Sequence, residues 1–341
     1  MPGDYTRSEI LSQPQAWDKT LADLRAQAAD LRSFFEHGQF DAIRLTGCGS
    51  TYYLSLAAGA LLQETLDVEA QGVPGSELWL YPRTSAQAKR KTLLIAVSRS
   101  GATTETVRAV ERFKAQNSGA VLTLSCYPGR DLTKLGDLNV ILEAGQEDSI
   151  AQTRAYTVLY LATVALALIW SGQSLDSLAT LPEACARLLT GQADLAKQMG
   201  TMPHLERFYF LGSGLRYGHA AEISLKMKEM SLSHSEPFHV LEFRHGPQSM
   251  VNADTLILGM LGEANQQAEQ KVLDEMQARG AQVISLAERG STIEFASGVP
   301  DALRNVLYLP FGQLLAFEHA LYRGMNPDRP HNLTAVVSLD Q

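Results

Sequence analysis

The chain contains one dense cluster of hydroxyl side chains, and it directly follows an apolar run. Residues 92–97 have the composition of a buried strand, and Ser98, Ser100 and Thr103 follow around Gly101. The next segment has the apolar spacing of a helix. Backbone N–H groups at a helix start, with hydroxyls beside them, can bind a phosphate for chemistry carried out elsewhere. An ordinary strand, turn and helix with a serine N-cap explains these residues equally well.

A second signal is a Gly-x-Gly turn, which follows another apolar run. Its residues are Gly47-Cys48-Gly49-Ser50-Thr51-Tyr52. A dinucleotide-binding fingerprint would have a third glycine near position 52, so the tyrosine there argues against a nicotinamide cofactor. If the turn and the hydroxyl cluster end neighbouring strands of one sheet, the pair favours a sugar phosphate as the ligand.

Residues 218–230 predict a helix with a charged stripe. Glu222, Lys226 and Glu229 are spaced i, i+4 and i+7, which places them on one face. A solvated stripe with a routine ion pair is one interpretation. Apolar residues on the other faces favour burial instead, where carboxylates can act as acid or base near neutral pH. His245 follows in a turn that Gly and Pro constrain, and it is either structural or catalytic.

The two halves of the chain repeat one order of elements. The paired segments are 43–50 and 208–214, 92–95 and 255–258, and 121–124 and 283–286. Strands that alternate with helices predict a parallel sheet covered on both faces, with ligands at the C-terminal strand ends. The predicted fold class is therefore α/β, with two flavodoxin-like doubly wound parallel sheets in tandem. Only the first half has the hydroxyl cluster, which predicts one phosphate site per chain.

The predicted domain organisation has five parts. They are an N-terminal helical segment at 1–38, a first domain at 39–175, a helical bridge at 176–203, a second domain at 204–325 and a C-terminal tail at 326–341. Residues 156–170 are almost wholly apolar but too short to span a bilayer, so we expect a helix buried in a core or a dimer interface.

The composition of the chain excludes several classes of binding partner and cofactor. A formal charge of −8 argues against a nucleic acid or an anionic membrane as the main partner. The three cysteines and eight histidines have no disulfide or metal-ligand spacing, so we expect a reduced, cytoplasmic protein with no cofactor and no metal. The first residues lack a basic and apolar leader, so no signal peptide is expected.

Together these motifs resemble the sugar isomerase (SIS) domain family. The four segments that carry the resemblance are 47–52, 98–103, 226–229 and 243–247, and residues 8–14 and 326–333 also match. The similarity is to chains with two SIS domains, which include the isomerase half of glucosamine–fructose-6-phosphate synthase, amino-sugar-phosphate deaminases and the galactosamine/tagatose-6-phosphate isomerases. It covers nearly the whole chain.

The resemblance implies roles for particular residues. It implies that Glu229 moves a proton between C1 and C2 of the open-chain sugar, that His245 opens the ring from a neighbouring subunit of a homodimer, and that Glu222 and Lys226 support them. The implied phosphate-binding residues are Thr51, Ser98, Arg99, Ser100 and Thr103. The implied sugar-contacting residues are Gly49, Ser50, Ile150, Ala151 and Gln152.

The chain also departs from the family pattern. Ala335 occupies the position of a tail lysine that can form a Schiff base in the synthases, so we expect a mechanism without that amine. No glutamine-hydrolysing domain is expected, which favours aldose–ketose isomerisation, or isomerisation with loss of the C2 amine as ammonia. The alternative is a non-catalytic phosphosugar sensor. Residues 1–40 have more acidic than basic side chains, which fits a DNA-binding module poorly.

Overall fold

The structure is a computed structural model in which residues 2–85, 90–116 and 119–334 are described. Ala335 and the rest of the predicted tail beyond Thr334 lie outside the described residues. The described helices are α1 Asp4–Leu11, α2 Gln13–Gly38, α3 Ser50–Leu66, α4 Gly75–Leu80, α5 Pro82–Ser85, α6 Thr104–Gln116, α7 Arg154–Trp170, α8 Leu181–Gly191, α9 Ala193–Gly200, α10 Tyr217–Ser231, α11 Gln266–Gln277 and α12 Leu309–Tyr322. The strands are β1 Ala42–Gly47, β2 Glu69–Pro74, β3 Thr92–Ser98, β4 Ala120–Ser125, β5 Leu138–Ile141, β6 Arg207–Gly212, β7 His234–Phe238, β8 Thr255–Met260, β9 Gln282–Ala287 and β10 Ile293–Glu294.

The helices and strands fall into two compact units. The first-sheet unit contains Gln15–Glu147 and Arg154–Ala179. The second-sheet unit contains the residues up to Pro14, the short loop Asp148–Thr153, and Thr180–Leu333. Helix α1 therefore groups with the second sheet, and most of α2 groups with the first.

The first sheet is parallel and has the strand order β2-β1-β3-β4-β5. All seven residues of β3 are buried, because helices cover both faces of a parallel sheet. The strand order reverses between β1 and β3, which is where ligands bind in open α/β sheets. The Gly-x-Gly turn follows β1 and the hydroxyl cluster follows β3, so both predicted phosphate segments lie at this reversal.

The second sheet repeats the first. Its order, β7-β6-β8-β9-β10, is the order of the first sheet with each strand replaced by its counterpart, and its pairings are also parallel. This confirms the predicted tandem α/β fold. The corresponding reversal in the second sheet lies between β6 and β8.

Helix α7 is the apolar segment that the sequence predicted to be buried. Every residue from Ala155 to Trp170 is buried. Helix α2 supplies part of its cover: Trp170 Nε1 donates to the carbonyl oxygen of Leu31 at 3.0 Å, and the ring of Trp170 stacks on Phe35 with centroids 4.6 Å apart. None of the helices in the described part of the chain is long and apolar enough to cross a membrane.

Candidate functional site

The hydroxyl loop between β3 and α6 is compact. Ser98 Oγ lies 3.1 Å from Thr103 Oγ1 and 3.5 Å from Ser100 Oγ. Backbone amides point to the same cluster, since Gly101 N donates to Ser98 Oγ at 3.1 Å and Ala102 N donates to Ser100 Oγ at 3.2 Å. Gly101 has φ +65°, and a Cβ there would lie 2.9 Å from Arg130 Cβ, so the turn requires glycine. The structure brings the predicted hydroxyls together.

The Gly-x-Gly turn lies beside this loop. Cys48 Sγ is 3.5 Å from the hydroxyl of Thr106 in the first turn of α6. Gly49 has φ +56°, and a Cβ at this position would meet no other atom within 4 Å. Glycine is therefore favoured there by the left-handed backbone conformation and not by lack of space. Thr51 Oγ1 donates to the carbonyl of Cys48 at 3.0 Å and accepts from its amide at 2.9 Å. Ser50 begins α3 directly beside it.

Arg99 is paired with a carboxylate that the sequence analysis did not single out. Its Nη1 lies 3.1 Å from Glu147 Oε2, and both side chains are buried. The other oxygen of Glu147 accepts from the amide of Ala155 at 3.0 Å, at the start of α7. Glu147 is a single carboxylate in a polar stretch, and no motif or period marked it. The buried positive charge of Arg99, within the hydroxyl loop, is therefore balanced by a buried carboxylate.

The charged stripe of α10 is buried, so the interpretation as a solvated stripe is wrong. Lys226 and Glu222 are fully buried, and Lys226 Nζ lies 3.4 Å from Glu222 Oε1. The ammonium also donates to Glu229 Oε2, whose side chain is 20% exposed. Burial by itself lowers the pKa of Lys226, but the attraction of Glu222 and Glu229 outweighs it and raises the pKa above the ordinary value. Lys226 is a buried cation that holds Glu229 at the edge of solvent.

The faces of the second sheet show which layer each helix occupies. Side chains alternate along a strand, so neighbouring residues of β6 point to opposite faces. The ring of Phe208 lies 4.7 Å from His319 on α12, and α12 packs against α10. The ring of Tyr209 lies 5.0 Å from Phe243, which follows β7. Helix α10 and the segment around Phe243 therefore cover opposite faces.

His245 belongs to the layer of Phe243. On one side of it, Arg244 Nε lies 3.2 Å from Glu275 Oε2 on α11, and on the other, Gln248 accepts from Arg279 just beyond α11. Helix α11 packs in the same apolar cluster as Phe243. His245 itself is exposed. Within one chain the second sheet therefore separates His245 from the Lys226–Glu229 pair, and the structure does not bring these predicted catalytic residues together.

The predicted sugar-contacting loop lies in the second-sheet unit. Ala151 is 2% exposed, and Ile150 is half-buried with its amide donating to the carbonyl of Asp328 at 3.1 Å. Gln152 Oε1 is buried and has no hydrogen-bond partner among the described residues. A buried acceptor without a donor is unfavourable unless a ligand supplies one.

The second strand-order reversal is occupied by an internal cation. Arg216, after β6, pairs with Asp301 at 3.2 Å and with Asn305 Oδ1 at 3.3 Å. A Cβ on Gly262 would lie 1.9 Å from Arg216 Nη2, so the guanidinium fills the space in front of the loop after β8. The amide of Gly262 donates to Glu269 at 2.7 Å. These residues fill the second reversal, and one phosphate loop per chain stays a prediction.

Neither a metal cluster nor the cavity in the second-sheet unit offers an alternative centre among the described residues. Among the described residues, no group of three or more His, Cys, Asp or Glu side chains could hold a metal ion. A cavity of about 840 Å³ in the second-sheet unit is lined by Arg207, Lys228, His234 and Glu236, among others, and by none of the predicted site residues.

The fold and the loop geometry define a class of protein: a tandem parallel α/β protein with a hydroxyl-rich loop at the first of two equivalent reversals. The SIS domain family matches residues 40–169 and 204–297, which together are more than half of the chain. The chain belongs to the SIS domain family, and the resemblance predicted from the motifs is confirmed.

Relatives with curated names are longer proteins. The chain is 28% identical to glutamine–fructose-6-phosphate aminotransferase [isomerizing] of Chlamydia caviae, over 98% of this chain and 58% of that protein. It is 27% identical to the protein of the same name from Thermotoga maritima, over 98% of this chain and 59% of that one. The chain thus spans a little over half the length of these relatives.

Solved structures of similar length share the fold. Glucosamine-6-phosphate deaminase from Thermotoga maritima superposes with a TM-score of 0.79 at 26% identity, covering 94% of this chain and all of that one. Tagatose-6-phosphate ketose/aldose isomerase from Escherichia coli superposes with a TM-score of 0.86 at 24% identity, covering 98% of both chains.

Proposed function

We infer that this chain is an enzyme that isomerises, or isomerises and deaminates, a hexose or hexosamine 6-phosphate. The observation that carries the proposal is the Glu222–Lys226–Glu229 cluster, in which two buried charges hold a partly exposed carboxylate on a largely buried helix. A sensor needs a phosphate site but no such acid–base group. The relatives and solved structures named above each have a sugar phosphate in their names, which supports the same substrate class.

In the proposed reaction, binding and chemistry use different residues. The hydroxyls of Ser98, Ser100 and Thr103 bind the 6-phosphate, with Thr51 shaping the adjacent turn. This binding energy is remote from the reacting carbons and helps to hold them in place. The buried charge of Arg99 is shared with Glu147, so neutral donors make most of the phosphate contacts.

Glu229 supplies the proton transfer. With the sugar ring open, its carboxylate removes the proton from C2, and the electron pair moves through an enediol or enolamine before a proton returns to C1. The ammonium of Lys226 stays close enough to hold Glu229 in one orientation. With a hydroxyl at C2 the product is the ketose. With an amine at C2, the resulting imine is hydrolysed by water to the ketose and ammonia.

His245 assists ring opening from a second copy of the chain. The proposal for a shared site is supported by the sheet that lies between His245 and Glu229 in one chain, together with the exposure of His245. A homodimer then has two equivalent sites, each with Glu229 from one subunit and His245 from the other. Gly49, Ser50, Ile150, Ala151 and Gln152 are proposed to contact the sugar.

A panel of hexose and hexosamine 6-phosphates, assayed for ketose phosphate and for ammonia, tests the proposal. Wild-type protein should turn over at least one member, and Glu229→Gln should lose that activity. Glu236→Gln is the matched control, because Glu236 is exposed and outside the Lys226 cluster. Thermal stabilisation by a sugar phosphate without turnover of any of them would establish the sensor alternative.

A further inference from the structure

The loop Asp148–Thr153 is fastened by helix α1. Glu9 on α1 is 4% exposed, and its Oε1 accepts from the amides of Asp148 at 2.7 Å and Ser149 at 3.1 Å. Its Oε2 accepts from the hydroxyl of Ser149. One buried carboxylate therefore orders two consecutive amides and a side chain, and such charge-assisted hydrogen bonds are the strong kind.

The segment after α12 fastens both the loop and α1. Asp328 is 5% exposed, and its carboxylate accepts from the amide of Gly3 at 3.0 Å and from the amide and hydroxyl of Thr6, each at 2.8 Å. It caps the start of α1, where Gly3 has no side chain to do so. The backbone carbonyl of Asp328 also accepts from the amide of Ile150 at 3.1 Å, and Arg329 Nη1 donates to the carbonyl of Asp148 at 2.6 Å.

A third connection holds the far end of the loop. Gln313 on α12 donates to the carbonyl of Thr153 at 3.0 Å and accepts from Gln13 Nε2 at 2.9 Å. Both glutamine side chains are fully buried. The backbone of Asp148, Ser149, Ile150 and Thr153 is thus bound by residues from both ends of the described chain.

We propose that α1 and the segment 326–329 form a brace that positions the loop 148–153 for the sugar, with Glu9 and Asp328 as positioning residues that touch no substrate atom. This inference rests on the proposed function, because it takes residues 150–152 as sugar-contacting. An irregular loop has few internal hydrogen bonds to define it, so its conformation depends on partners elsewhere. The brace supplies those partners. It fixes the backbone on both sides of Gln152, and so it also fixes the position of the buried Gln152 Oε1.

Two measurements on Glu9→Ala, Glu9→Gln and Asp328→Asn test the brace. Hydrogen exchange of a peptide covering 147–153 should become faster in all three, and Glu9→Gln should be intermediate because an amide oxygen still accepts from backbone N–H groups. KM for whichever sugar phosphate the wild type turns over should rise about tenfold, with kcat changed much less. Arg7→Gln is the matched control, since Arg7 is exposed on the same helix.

The outcomes separate the brace from the proposed function. Unchanged exchange in Glu9→Ala and Asp328→Asn overturns the brace, and so does faster exchange with a wild-type KM. If Glu9→Ala does not fold, Glu9→Gln and Asp328→Asn, which keep the size of the side chain, decide the question. If the wild type turns over no sugar phosphate, the proposed function fails, while exchange still reports whether Glu9 holds the loop.

Discussion

Glu229 and His245 lie on opposite faces of one β-sheet. Phe208 and Tyr209, adjacent on β6, mark the two faces: the first contacts the layer that contains α10, and the second contacts Phe243 beside His245. A sheet cannot open to let two side chains meet through it without losing its ladder of hydrogen bonds. We therefore expect a reaction that uses both groups on one sugar to take them from two copies of the chain.

Complementation tests that consequence. We expect Glu229→Gln and His245→Ala each to be inactive alone, and a co-refolded equal mixture to regain about one quarter of wild-type activity. In a symmetric dimer, half of the pairs are mixed, and each mixed pair has one intact site. Activity of the mixture would be followed by the ketose-phosphate assay. A mixture no more active than the average of the two variants would contradict the shared site.

Removal of the buried ammonium should destabilise the protein. Lys226→Met leaves Glu222 fully buried without its cation, and breaking a buried ion pair in this way typically lowers the free energy of unfolding by about 3–5 kcal/mol. Urea denaturation measures the loss. The double variant Glu222→Gln/Lys226→Met should recover part of it, because no buried charge is then left unpaired; equal losses in the single and double variants would argue against this pairing.

The hydroxyl loop should control phosphate affinity. We expect Ser98→Ala/Thr103→Val to weaken fructose 6-phosphate binding by about tenfold or more, because each lost donor leaves a phosphate oxygen unpaired. Isothermal titration calorimetry measures the affinity and thermal denaturation the stability. Thr133→Ala, in the same unit but outside the loop, is the control and should bind normally. Unchanged affinity in the loop variant would leave these residues as an ordinary helix cap.

Acid should destabilise the protein through His219. Burial, with Arg216 nearby, lowers the pKa of His219 from 6.5 to about 3 in the folded state. Between pH 6.5 and 3 the unfolded chain binds a proton at His219 that the folded chain excludes. The contribution of His219 to the free energy of unfolding is therefore fully present above pH 6.5 and is lost as the pH falls toward 3, by at most about 1.4 kcal/mol per pH unit. Denaturant titrations at several pH values should show a shallower slope for His219→Gln. If the free energy of unfolding depends on pH equally in the wild type and in His219→Gln, other groups cause the acid sensitivity.

Local patterns predicted most of the fold. The repeated strands and Gly turns predicted two sheets of flavodoxin-like type, and the apolar run in α7 predicted a buried helix. These features depend on residues close together in the chain, where period and turn chemistry are visible. The burial of the Glu222, Lys226 and Glu229 stripe followed from the apolar residues around it.

The sequence did not predict contacts between distant segments. Glu147 beside Arg99, Glu9 under the loop at 148–153, and Asp328 at the start of α1 are single carboxylates without a motif. Their partners lie far along the chain, and only the folded backbone brings them together. The filling of the second reversal by Arg216 was also missed, although the loss of hydroxyls there predicted that no phosphate loop would remain.

That occupied reversal bears on ligand stoichiometry. Internal duplication would ordinarily suggest two equivalents of a sugar phosphate or inhibitor per polypeptide at saturation. Because the guanidinium of Arg216 already fills the second position and pairs with Asp301, we expect the repeat to contribute no second equivalent. We expect a competitive inhibitor that mimics the sugar phosphate to titrate one site for each polypeptide.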